Sequence, residues 1–160
     1  MKGFLKNGLA GVCVAVCVLV SASAAQAQRQ HSVGLDVVRL FDEGQYEGMF
    51  AVSYQVSMTP RTALVGTLAR RSGYLIFEGL YKSYLQTYFD GPFVAVGMAG
   101  GTYDDSGEVG VMGAVGYERS LARNVILSGK LECVWGTMDH PNAGHRAPIF
   151  RPGVNVIFAF

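Results

Sequence analysis

Charge is scarce in this chain, and so is cysteine. Asp, Glu, Lys and Arg make up 16% of 160 residues, and the formal net charge is +1. No basic footprint of the kind that tracks phosphates is present, which argues against nucleic acid as a partner. Cys occurs three times, and two of the three, Cys13 and Cys17, lie in the apolar N-terminal stretch. Cys133 alone can make neither an intrachain disulfide nor a multi-thiolate metal site. Linkers and low-complexity segments are also missing, and the size fits one domain.

What is present starts at the N-terminus. Lys2 and Lys6 form a positive n-region, Gly8 to Val20 are apolar or Gly, and the small residues Ser21 to Ala25 lead into Gln26-Ala27. This pattern predicts a secretory signal peptide over residues 1–27, cleaved after Ala27. An uncleaved anchor is the rival reading, disfavoured because the second half of the stretch is small and polar. Lipidation at Cys13 is disfavoured by the extra Val12 before it. Losing Lys2 and Lys6 leaves eleven basic against twelve acidic residues, a net charge of −1 for residues 28–160.

Beyond the leader the dominant signal is alternation at period two. In Phe50 to Met58, Phe50, Val52, Tyr54, Val56 and Met58 share one face, and Ala51, Ser53, Gln55 and Ser57 share the other. Glu108 to Glu118 and Val125 to Trp135 repeat the pattern. Ser32–Phe41, Ala63–Arg71, Tyr74–Leu85, Phe93–Tyr103 and Ile149–Phe160 complete a set of about eight strands of roughly ten residues, the length that crosses a bilayer when tilted. Residues 74–88 also read as an amphipathic helix, but their neighbours favour a strand. The connections alternate between short ones (Thr59–Thr62, Gln86–Gly91, Ser120–Asn124) and more polar ones (Asp42–Gly48, Asp104–Gly107, Met138–Pro148), with Arg70–Gly73 a short member of the second set. The expected fold is an all-β, eight-stranded antiparallel up-and-down transmembrane β-barrel over 28–160.

The same alternation fits a secreted lipocalin-like barrel turned inside out. Three features favour the apolar face pointing outward. Charges within strands are few, they sit on one face, and that face is rich in Gly, Ala and Ser. Aromatics gather near strand ends: Phe50, Tyr74, Tyr103, Trp135 and Phe150 at one rim, and Tyr84, Tyr88, Phe89, Phe93, Tyr117, Phe158 and Phe160 at the other, as two interfacial girdles would require. The inward charges are Asp36, Glu78, Lys82, Glu118, Lys130, Glu132 and Arg151. An eight-stranded barrel is only wide enough to be filled by side chains, so these groups are expected to form an ion-pair network that fixes strand register. A gate or small ion path is the sharper alternative.

Val154, Val156, Phe158 and Phe160 alternate along the last strand, which ends on the aromatic. This resembles the C-terminal targeting strand of bacterial outer-membrane barrels. Val115-Gly116-Tyr117-Glu118 with Leu121, Asn124, Leu127 and Leu131-Glu132 resembles the penultimate hairpin of small eight-stranded outer-membrane proteins: the outer-membrane protein A transmembrane domain, the outer-membrane protein X group and the opacity-type, porin-like barrels. The resemblance covers roughly the last 70 residues and, in the front half, the strand pattern only. It implies a Gram-negative outer-membrane location, insertion by the barrel-assembly machinery through Val154, Val156, Phe158 and Phe160, contact with outer-membrane lipid and lipopolysaccharide, and a monomer whose outer loops meet a host or surface ligand.

Other candidates are weaker. His140, Asn142, Ala143, Gly144 and Pro148 partly resemble the site segment of outer-membrane lipid A deacylases, which pair a His with a Ser two residues on. Position 142 is Asn, so the nucleophile is missing and covalent acyl transfer has nothing to attack with. If the chain is an enzyme, His140 is the catalytic candidate; the reading adopted is no enzyme, no cofactor and no metal. His140 with His145 lacks a third metal ligand. Asp104, Asp105 and Glu108 suit a hard cation only weakly, without a loop pattern to support it. Cys133, between Leu131 and Trp135, reads as a small apolar side chain.

Overall fold

Period-two alternation becomes geometry when each strand pairs on both sides. In the computed structural model, which describes residues 30–41, 48–71, 74–103, 106–136 and 148–160, eight strands do so. They are β1 (His31–Asp36), β2 (Phe50–Thr59), β3 (Thr62–Arg71), β4 (Tyr74–Tyr84), β5 (Gly91–Tyr103), β6 (Ser106–Ala122), β7 (Val125–Trp135) and β8 (Ile149–Ala159). Each is antiparallel to the next, and β1 pairs with β8, so the sheet closes into a barrel with no free edge. At the seam the His31 amide donates to the Phe160 carbonyl and the Phe160 amide to the His31 carbonyl.

Tight turns hold one end together. Pro60-Arg61 joins β2 to β3, where the Arg61 amide donates to Thr59 Oγ1 and the Thr59 and Thr62 hydroxyls lie 2.7 Å apart. Arg123-Asn124 joins β6 to β7. Register shifts at Ser57/Thr59 and Ser120/Ala122 flank these turns and raise the local twist. Residues 85–90 join β4 to β5 at the same end, which also holds His31 and Phe160. We call this the turn end and the opposite one the loop end.

The faces separate cleanly. Outward stand Tyr54, Leu64, Leu68, Phe77, Tyr81, Val96, Val111, Val115, Leu127, Leu131 and Val154, with Val111 60% and Trp135 61% exposed. Inward stand Ala63, Val65, Leu80, Ala95, Ala99, Met112, Ala114 and Val134, an apolar cluster drawn from β3 to β7, and two smaller apolar clusters stand beside it. Glycine makes room where rings lie flat on the wall: a Cβ at Gly116 would strike the Phe93 ring inside, and one at Gly100 the Phe77 ring outside.

Two expectations are corrected. The first strand does not run from Ser32 to Phe41. It ends at Asp36, and Val37–Phe41 form one helical turn, α1, capped by Asp36 Oδ1 accepting from the Arg39 amide at 3.2 Å. Strand geometry would have placed Arg39 outward with Val33 and Leu35; the helical turn swings it inward. The second correction concerns the aromatic rim. Tyr84, Phe89 and Phe93 are buried and Tyr88 is half-buried, while Tyr117, Phe158 and Phe160 follow the outward alternation. Tyr84 lies two residues from inward Lys82, and Phe93 two from inward Ala95, so register carries both inside. Tyr74 and Tyr103 occupy strand positions at the loop end.

Candidate functional site

Eight strands leave a narrow lumen, and two ionic layers fill it. The loop-side layer draws on α1, β1, β4, β7 and β8. Arg39 Nη2 donates to Glu78 at 2.8 Å and to Glu132 at 3.2 Å, and its Nε lies 3.5 Å from Asp36. Arg151 Nη2 donates to Glu78 at 2.9 Å and lies 3.3 Å from Glu132. Lys130 Nζ donates to Glu132 at 2.6 Å and stands 3.9 Å from Asp36. In the closed order β4 lies opposite β8, so the Arg151–Glu78 bond crosses the diameter of the barrel. Among the described residues three carboxylates face three cations, and every carboxylate is shared between at least two of them. Charges taken this far from water are tolerable only when they are paired and hydrogen-bonded in this manner.

The turn-side layer is smaller. Lys82 Nζ donates to Glu118 at 2.6 Å and to Gln55 Oε1 at 2.9 Å, and sits 4.3 Å from the centre of the Phe93 ring. Tyr84 donates its hydroxyl to Glu118 Oε2 at 2.7 Å and accepts from Gln55 Nε2 at 2.8 Å. Glu118 is 0% exposed. Below this layer the 85–90 turn folds over the barrel mouth. Its Phe89 packs with Ile126, Ile157 and Ala159, and its Tyr88 ring stands 3.8 Å from that of Phe89 and edge-on to Tyr84. Phe89 adopts φ of 67°, a conformation that costs energy for a bulky side chain and is held here by burial. Burial pushes the Tyr88 hydroxyl up to about 12.

All seven charged residues expected inside are placed inside, divided five and two between the layers. Sequence reasoning missed Arg39, the eighth. The signal was countable: Asp36, Glu78, Glu118 and Glu132 are four carboxylates, while Lys82, Lys130 and Arg151 are three cations. A sealed lumen of that composition is one positive charge short. Val154, Val156, Phe158 and Phe160 lie along the outward face of β8 and its end. Cys133 is half-buried on the outward face. His140, His145, Asp104, Asp105 and residues 1–27 lie outside the described residues.

No family model matches the chain, and no curated protein does. Among solved structures it is similar to the N-terminal β-barrel domain of Pseudomonas aeruginosa OprF, with a TM-score of 0.60 at 14% identity over 84% of this chain and 100% of that one. A likeness at that identity shows the fold: a closed, eight-stranded, antiparallel β-barrel.

Proposed function

We propose that this chain is exported through residues 1–27 and inserts as a small outer-membrane β-barrel, with the turn end in the periplasm and the loop end outside. One observation carries the proposal. The wall is inverted relative to a water-soluble barrel, with an apolar outward face on every strand and, among the described strand side chains, all charges but those of Arg70 and Arg119 held within. Soluble monomers rarely expose apolar patches beyond a few hundred Å², and a belt around the whole circumference has no place in water. Hydrocarbon is the medium that suits it, and closure leaves no backbone edge unpaired there. A soluble binding barrel would need an open apolar lumen; this one is crossed by salt bridges.

The role is structural or surface-interacting, exercised through the outer connections, and not catalytic. Asn142 stands where a deacylase-like site would need its nucleophile, and each charged group in the lumen is engaged by an opposite charge. Insertion through Val154, Val156, Phe158 and Phe160 belongs to the same reading, as does a monomeric state, since closure satisfies the edges that would otherwise recruit a second copy.

The test is gel mobility of the outer-membrane fraction, unboiled against boiled. The expected result is a change in apparent mass on heating. Recovery from the soluble periplasm with no heat-dependent shift would overturn the reading.

A further inference from the structure

The outward wall carries almost no charge. Among the described strand side chains, the Asp, Glu, Lys and Arg residues that face outward are Arg70 near the loop end and Arg119 near the turn end. Arg119 follows Tyr117, 49% exposed, and precedes Leu121, 63% exposed, on the outer side of β6, and its partner across the ladder is Leu127. It is exposed and makes no ion pair among the described residues. Arg61 and Arg123 are exposed in the turns of the same end, where Asp90 is the acidic residue of the described turns.

We propose that Arg119 binds the phosphate of an anionic phospholipid in the leaflet around the turn end. This rests on the membrane reading above and names a partner for it. The position decides the class of ligand. A side chain on the wall, between Tyr117 and Leu121 and beside Leu127, reaches what surrounds the barrel, whereas a soluble acidic partner would approach the mouth. In hydrocarbon an arginine extends along its stem toward the interface and pairs its guanidinium with phosphate, while a neighbouring Tyr ring sits at headgroup depth. Arg123 adds positive charge at that edge of the barrel. Arg61 lies four strands away, on the opposite side.

The experiment uses the full barrel in mixed vesicles of phosphatidylcholine and phosphatidylglycerol. Spin-labelled versions of each lipid report which is immobilised at the wall. The native protein is expected to prefer phosphatidylglycerol, and R119Q to lower that preference about fivefold, the factor corresponding to roughly 1 kcal/mol per basic side chain near an anionic surface. R119K is expected to retain most of the preference, and R61Q, with the same charge removed from the turn, to change it less. An unchanged preference in R119Q, or an equal loss in R61Q, would overturn the lipid site. If those results come with a retained heat-dependent gel shift, the membrane reading stands without it. A native protein that neither enters vesicles nor shifts on heating overturns both.

Discussion

The two ionic layers of the lumen solve one problem by different means. In the loop-side layer each carboxylate is shared: Glu78 by Arg39 and Arg151, Glu132 by Arg39, Lys130 and Arg151, and Asp36 by Arg39 and Lys130. Five elements meet there, and one bond spans the diameter. In the turn-side layer a single pair, Lys82–Glu118, is completed by neutral groups, an amide, a hydroxyl and an aromatic face. Shared charges tie distant strands to one another. The second layer joins as many strands, β2, β4, β5 and β6, but through one ion pair whose neutral neighbours keep a hydrogen bond to each partner when the other is changed.

Glu78→Ala tests the first statement and is expected to have the largest effect. It withdraws the carboxylate that Arg39 and Arg151 share, so that among the described residues three cations of the layer are left with two carboxylates, Asp36 and Glu132, at a cost of about 3–5 kcal/mol. Urea unfolding of the vesicle-inserted protein would measure it. Glu118→Gln is expected to cost less, roughly 1–3 kcal/mol, because Lys82 keeps Gln55 Oε1 and the Phe93 ring and the amide still accepts a hydrogen bond. Equal losses in the two variants would erase the distinction between the layers. The double variant sharpens it further. Glu78 and Lys82 are four residues apart on β4, about 13 Å along the strand, so the two losses should add to within about 0.5 kcal/mol if the layers are independent. A larger coupling energy would mean one continuous network.

The smallest effect is expected on the outer wall. Gly66 faces outward, and a Cβ there would meet nothing within 4 Å. Gly66→Ala should therefore leave stability within about 0.5 kcal/mol of the native value in the same unfolding experiment. A loss of several kcal/mol would show that the wall at Gly66 is as tightly specified as the lumen.

Much of this was legible in the sequence. Strand count, antiparallel order and the division of faces follow from alternation, and β7 runs from Val125 to Trp135 as the pattern predicts. The seven inward charges could be named because each lies opposite its strand's row of apolar residues, as Glu78 and Lys82 lie opposite Leu75, Phe77 and Tyr81. Two things escaped. Arg39 was hidden because a strand reading of Val33, Leu35, Val37 and Arg39 puts it outward, and nothing in five residues of local sequence outweighs that pattern; the conflict of a charge on an apolar face was the clue. Tyr84, Phe89 and Phe93 were assigned to a rim by their distance along the strand, although the parity of Tyr84 and Phe93 already placed both inside. Phe89 had no such signal, since it sits in a turn and reaches the lumen through a positive φ.

The sequence by itself determined the wall. A side-chain period of two is a local property of extended backbone, so which residue faces which side needs no knowledge of distant strands. Only the tertiary structure decided the filling. Which carboxylate shares which cation, that Arg151 meets Glu78 across the diameter, and that the chain leaves β1 at Asp36 to bring Arg39 between them are set by closure of the barrel. Closure places side chains far apart in sequence within 3 Å of one another, in a space too dry for any of them to remain unpaired.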